Sequence, residues 1–189
     1  MAERVRRSGA KTVVRVIAGA LGGRTFDSPR GHRTHPMSEK ARGAIFNALG
    51  DVEGLTVLDA YAGSGALAVE AISRGAASAL AIEADKTAYN VILDNIRVLN
   101  LGDQVTVHKM YVHSWLNRTN GQFDIVIADP PYDDLQYKTL DALPKVVKPG
   151  GVLVYSLPPT ARLVLPGEME KLSEKSYGDA TLVFYRKTQ

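Results

Sequence analysis

Asp129-Pro130-Pro131-Tyr132 is the stretch of this chain best suited to chemistry. It follows Phe123-Asp124-Ile125-Val126-Ile127-Ala128, an apolar run with the length and β-branched content of a buried parallel strand. A carboxylate, two prolines that lock φ and an aromatic ring at such a strand end can hold a flat nitrogen heterocycle. They can also accept hydrogen bonds from its exocyclic amine. Taken alone, the tetrapeptide is equally compatible with a proline turn carrying a surface tyrosine. A second motif gives it weight. Val57-Leu58-Asp59-Ala60-Tyr61-Ala62-Gly63-Ser64-Gly65 also closes a strand-like run, and a helix-like run follows it.

The glycines permit a sharp βα turn and close approach of backbone to a ligand. The helix after them offers free N–H groups. Glu83 ends the next strand-like run, with Ala84 after it, and an acid there can accept both hydroxyls of a ribose. Gly63, Gly65 and Ala68 also fit a dinucleotide fingerprint, so an NAD-dependent oxidoreductase competes with any other nucleoside-binding reading. Asp59 weighs against it: an acid sits badly beside a pyrophosphate and well beside the ammonium of an amino-acid ligand. S-adenosylmethionine combines that ammonium with a carboxylate, a ribose and an adenine.

These motifs need a scaffold. Strand-like runs at 55–60, 78–83, 104–109, 123–128 and 151–157 alternate with helix-like runs at 66–74, 86–99, 111–118 and 134–146. Such alternation implies a doubly wound, mainly parallel α/β sheet. The end differs: 168–177 and 180–186 read as an antiparallel hairpin around Gly178-Asp179. Upstream, 13–18 and 24–26 read as a small β-hairpin. Ser38 is placed to cap a helix to Leu49 whose apolar face is Ala41, Ile45 and Leu49. The expected organisation is a basic disordered tail (1–11), an N-terminal hairpin and helix extension (12–50) and a catalytic domain (51–189).

The 189 residues suit one domain, and the absence of cysteine excludes disulfides and thiolate sites. The four histidines show no metal-ligand spacing, so no metal is expected. No apolar run approaches the roughly 20 residues of a membrane span, and the start has no apolar signal core; a cytoplasmic monomer is expected. The net charge of +3 is unevenly spread. Residues 1–50 hold ten Lys/Arg against three Asp/Glu, while the remainder holds 13 against 17. A basic arm on a mildly acidic body points to a polyanion partner.

Val57 to Glu70, Glu83 and Asp129-Pro-Pro-Tyr132 together resemble the Rossmann-like class I methyltransferases that modify exocyclic amines. Arg15-Val16-Ile17-Ala18-Gly19, Gly23-Arg24 and Pro36-Met37-Ser38-Glu39-Lys40-Ala41-Arg42-Gly43-Ala44-Ile45-Phe46-Asn47 narrow the resemblance to the RsmD family, from about Val14 to Arg186. The resemblance implies an S-adenosylmethionine-dependent enzyme that methylates a guanine N2 of small-subunit ribosomal RNA, naked or within a subunit or assembly intermediate. It implies catalysis by Asp129, Pro130, Pro131 and Tyr132. Cofactor binding would fall to Asp59, Tyr61, Ala62, Gly63, Ser64, Gly65, Glu83, Ala84 and Tyr111. RNA contact would fall to Arg6, Arg7, Arg15, Arg24, Arg30, Arg33, Lys40 and Arg42. The chain departs from the family in having Glu39-Lys40 for an Asp-Arg pair, Gly43 for an acid, and Tyr111 where an acid usually meets the adenine amine. Tyr111 would stack on adenine instead. Adenine N6 in DNA is a weaker substrate reading, because the chain has no length to spare for a target-recognition domain. A non-catalytic RNA-binding or assembly factor is disfavoured by the presence of Glu83 together with Asp129 and Tyr132.

The charge distribution makes a prediction of its own. RNA binding falls steeply with salt, each phosphate contact adding about −0.7 to −0.9 to the log–log slope. Replacing Arg6, Arg7, Arg24 and Arg33 together should flatten that slope in fluorescence anisotropy. Identical slopes would leave the segment as a solvated arm.

Overall fold

Along the strands, alternate residues go to opposite faces of one sheet. Val57, Ile125 and Ile127 enter one apolar cluster, while Leu58, Val126 and Ala128 enter a second. The computed structural model describes residues 13–29 and 37–189, so the expected tail lies outside the described residues. A small antiparallel pair, β1 (Val13–Arg15) and β2 (Thr25–Asp27), precedes α1 (Glu39–Leu49). Then come β3 (Thr56–Asp59), α2 (Ala66–Ser73), β4 (Ser78–Glu83), α3 (Lys86–Leu99), β5 (Val105–Lys109), α4 (Val112–Leu116) and β6 (Phe123–Ala128). The chain continues with α5 (Tyr137–Leu140), β7 (Val147–Leu157), β8 (Met169–Tyr177) and β9 (Ala180–Lys187).

The seven-stranded sheet has the order β5-β4-β3-β6-β7-β9-β8. β5, β4, β3, β6 and β7 run parallel; β9 is antiparallel to both β7 and β8. The expected doubly wound sheet and terminal hairpin are therefore present. β3 pairs with β4 on one side and β6 on the other, so the strand order reverses there. In open α/β sheets the crevice beyond the carboxyl ends at such a reversal receives the ligand. Asp59 ends β3 and Asp129 directly follows β6, so both acids stand at that crevice.

Two strands differ in extent, β1 ending at Arg15 and not 18 and β7 beginning at Val147 and not 151, and one expected element differs in kind. The run 134–146 is not a single helix: α5 is followed by a 3-10 turn at Leu143–Val146. Pro144 has no N–H to give Leu140, and its ring would crowd that carbonyl. Among the described residues no helix is long and apolar enough to cross a membrane.

The extension shares its core with the sheet. Val14, Val16, Phe26, Ile45 and Phe46 belong to the same buried cluster as Val57, Ala68 and Ile127. Ser38 caps α1 as expected, its hydroxyl accepting from the Ala41 N–H at 3.1 Å. The buried face of α1 includes Arg42 as well as Ala41, Ile45 and Phe46, and Leu49 is only partly covered. The Arg42 guanidinium donates to the Arg15 carbonyl, and its Nε lies 3.6 Å from Glu70.

Glu70, 1% exposed on α2, is the anchor. Its carboxylate accepts from Ile17 N–H at 2.8 Å, Ala18 N–H at 3.1 Å and Arg74 Nε at 2.7 Å. Farther along, Ser73 donates to the Ala18 carbonyl and accepts from Leu21 N–H. Gly19 has φ +85°, and a Cβ there would lie 1.7 Å from the Ser73 carbonyl oxygen, so only glycine allows this docking.

Glu70→Ala leaves the buried Arg42 charge unpaired. It should cost about 3–5 kcal/mol in urea unfolding. Glu70→Gln, which keeps an acceptor, should cost less. A loss within about 0.5 kcal/mol for the alanine variant would refute the anchoring role.

Candidate active site

Two cavities adjoin at the carboxyl ends of β3 and β6. The larger, about 460 Å³, is walled by Asp129 to Asp133, Ser156 and the tip of the β8–β9 hairpin. Ser28, Met37, Ser38 and Ala41 close it from the extension. The smaller, about 180 Å³, lies against Glu83, Ala84 and Tyr111. Tyr61, Gly63 and Pro131 line both, so the two spaces meet where the glycine loop faces the proline turn.

The glycine loop takes positive φ at Gly63 (55°) and at Gly65 (78°), the residue that caps α2. A Cβ at Gly63 would meet no atom within 4 Å, so the loop leaves open space there. Glu83 holds the loop: its carboxylate accepts from Gly63 N–H at 2.8 Å and from Asp85 N–H at 2.7 Å. Each oxygen keeps a lone pair for a further donor. Burial raises the Glu83 pKa, and the backbone N–H groups of Asp85, Gly63 and Ala84 pull it back.

Asp59 is fully buried under the loop. One oxygen accepts from Ala68 N–H at 3.2 Å, and the other has no partner. Burial pushes its pKa up to about 7, with a further push from the charges of Asp129 and Glu83. The Tyr61 hydroxyl is likewise buried without a partner, and burial raises its pKa. Ala62 and Ser64 are buried in the loop backbone.

Asp129 is raised to about 6, mainly by burial; the Ser156 hydroxyl opposes this and the charge of Asp179 adds to it. The Tyr132 hydroxyl lies 3.0 Å from Ser156 Oγ, which fixes the ring at the cavity wall. Pro130 is buried and Pro131 exposed. Tyr111 stands 61% exposed beside the smaller cavity, its ring 5.5 Å from that of His113.

This geometry can be set beside known proteins. A family described as Conserved hypothetical protein 95 matches residues 14–186. The chain belongs to the RsmD family. "Ribosomal RNA small subunit methyltransferase D" of Haemophilus influenzae is 29% identical over 97% of each chain. The protein of the same name from Buchnera aphidicola is 34% identical over 68% of each. A solved structure described as "Putative methyltransferase yhhF from Escherichia coli" superposes with a TM-score of 0.83 at 27% identity, covering 93% of this chain and 98% of that one. The fold is that of the class I methyltransferases.

Within this RsmD-family chain the expected RNA-contacting residues divide. Arg15 is exposed and paired with Glu39 at 2.7 Å. Arg24 and Lys40 are exposed. Arg6, Arg7, Arg30 and Arg33 lie outside the described residues. Arg42 is a correction. Its side chain is 1% exposed and turned onto Glu70, so it has no surface to offer a phosphate. The spacing Ala41, Arg42, Ile45, Phe46 on one helical face was the available signal. Ser156, Tyr177 and Asp179 were not foreseen as site residues. They reach the cavity only through the pairing of β7, β9 and β8.

The buried acid makes a pH prediction. Folding raises the Asp129 pKa from 3.8 to about 6, so the folded chain binds the proton more tightly. The associated stability is present below pH about 4 and is lost as pH rises through about 6. Asp129→Asn should therefore unfold later than the parent at pH 8, by at most about 3 kcal/mol, and differ little at pH 4. Thermal denaturation at both pH values checks this; an equal offset at both would refute it.

Proposed function

We propose that this chain transfers the methyl group of S-adenosylmethionine to the exocyclic N2 of a guanine in small-subunit ribosomal RNA. The observation that carries the proposal is the junction of the two cavities, with Glu83 on one side and Asp129-Pro-Pro-Tyr on the other. The names of the relatives support ribosomal RNA as the substrate class.

The residues present suit the cofactor. Glu83 is oriented by two backbone donors and retains acceptor capacity for ribose hydroxyls. Tyr111 offers a ring face for adenine, and Ala84 adds little bulk. Asp59 stands beneath the loop with its pKa raised to about 7 by burial, so an ammonium placed over the loop would favour its ionised form. Its bond to Ala68 N–H takes a helix N-terminal donor that a pyrophosphate would need, so the dehydrogenase reading is the weaker one. When bound, S-adenosylmethionine supplies a methyl group on a sulfonium, a strong electrophile.

What the chain must do is position and desolvate the amine. The N2 lone pair of guanine is delocalised into the ring, so the amine is a poor nucleophile. Asp129 and the Pro130 carbonyl accept its two hydrogens and turn the lone pair toward the methyl. The fixed negative charge of Asp129 favours the cationic nitrogen that develops. A carboxylate with a pKa of about 6 is ionised near neutrality and basic enough to take the proton. Tyr132, held by Ser156, stacks on a base extruded from the RNA. Residues 12–50 form an RNA-binding extension that reaches the catalytic cavity through Met37, Ser38 and Ala41, with Arg15, Arg24 and Lys40 on its exposed side. The proposed setting is the cytoplasm, with the enzyme a monomer.

Two variants test the assignment. Glu83→Ala should weaken S-adenosylhomocysteine binding about 10- to 100-fold in calorimetry, the loss of a charged hydrogen-bond acceptor. Asp129→Ala should abolish methyl transfer to small-subunit ribosomal RNA while S-adenosylhomocysteine affinity stays near the parent value. Parent-rate transfer by the Asp129 variant would overturn the mechanism.

A further inference from the structure

The hairpin that finishes the sheet brings two side chains to the catalytic cavity that the chemistry above does not use. Tyr177 ends β8 and Ala180 begins β9, paired with each other, so Gly178 and Asp179 form a two-residue turn. Gly178 has φ +64° and Asp179 has no positive φ, so glycine takes the first central position, where a type II′ hairpin turn needs it. The turn thus has a defined geometry. Both Tyr177 and Asp179 line the larger cavity, together with Asp129, Tyr132 and Ser156. The carboxylate of Asp179 is near enough for its charge to act on both Asp129 and Tyr132. It is exposed at the cavity rim, and Tyr177 is half-buried beside it.

Base chemistry decides what a second acceptor at this place could read. Guanine presents three hydrogens on one edge, two on N2 and one on N1. Adenine and cytosine present an amine next to a bare ring nitrogen, which is an acceptor. Asp129 and the Pro130 carbonyl account for the amine hydrogens. An acceptor beside them finds a donor only if the base is guanine. Against adenine or cytosine it would face a lone pair, leaving a desolvated carboxylate unpaired.

We propose that Asp179 is the specificity-determining residue of the site, accepting the N1–H of the target guanine while Asp129 holds N2, with Tyr177 bordering the base opposite the proline turn. The inference rests on the guanine-N2 reading and supplies its selectivity. It makes the tip of the terminal hairpin part of the active site. Discrimination between guanine and adenine then resides in an acceptor on β8–β9, apart from the Asp-Pro-Pro-Tyr turn, whose groups suit either amine.

The test uses the full chain and in-vitro-transcribed small-subunit ribosomal RNA, with the methylated guanosine first located by nucleoside mass spectrometry. That position is then replaced by 2-aminopurine riboside, which keeps the amine but has an unprotonated N1. The parent should favour guanine over 2-aminopurine by about 10- to 100-fold in kcat/KM, the range for a charged hydrogen bond made or lost. Asp179→Asn can present its carbonyl to guanine or its amide to 2-aminopurine, so its preference should collapse by about tenfold or more. Asp179→Ala should lose guanine activity by about 10- to 100-fold with no gain on 2-aminopurine. Parent-like S-adenosylhomocysteine affinity in calorimetry shows both variants to be folded. A parent preference retained in Asp179→Asn overturns the inference and leaves the guanine-N2 reading standing. A parent enzyme that methylates no guanine N2 overturns that reading, and the inference with it.

Discussion

The reversal of strand order at β3 is the constraint on which the site depends. β3 is hydrogen-bonded to β4 on one side and β6 on the other, and the connecting segments leave opposite flanks of it. A crevice at the carboxyl end of β3 follows from that pairing, because no crossover covers it. Asp59, Glu83 and Asp129 end or follow three adjacent strands there. Their mutual charge effects are a consequence of pairing order, since the three are remote in sequence.

A second dependency ties the extension to this crevice. Glu70 projects from the helix that the glycine loop begins, and four donors or charges converge on it from both parts of the chain. The Asp27 N–H and carbonyl are held in turn by Asn95 on α3. Fixing β1, β2 and α1 on α2 and α3 sets Met37, Ser38 and Ala41 against the cavity. These N-terminal segments therefore form one wall of the larger cavity and carry Arg15, Arg24 and Lys40 on their exposed side.

The site carries costs that the rest of the core does not. Asp59 keeps an oxygen without a partner, as does the Tyr61 hydroxyl, and Asp129 is a carboxylate held well above its ordinary pKa. Buried groups of this kind oppose folding unless something binds them. Their grouping around one crevice fits a surface shaped for a ligand at the expense of stability. By contrast, Asp124 at the other end of β6 is buried in part yet satisfied by Thr56 and Lys148, which hold its pKa at about 2 against the effect of burial.

The sequence by itself determined what local physics controls. Apolar runs of strand length, helical periodicity and glycine or Gly-Asp turns made β4, α3 and β6 readable to the residue. The acids at strand ends were readable as well, and the fold brings Asp59, Glu83 and Asp129 to adjacent strand ends. Pro144 shows where even local reading slipped, since its missing N–H divides a segment that periodicity alone joins. The tertiary structure decided what depends on partners distant in sequence. It turned Arg42 inward, because Glu70, 28 positions later, offers a buried countercharge that sequence spacing does not reveal. It placed β9 between β7 and β8, and so carried Ser156, Tyr177 and Asp179 to the cavity. A hairpin's turn can be read from two residues, but the strand it pairs with is chosen by the whole core, and that choice made the last hairpin part of the site.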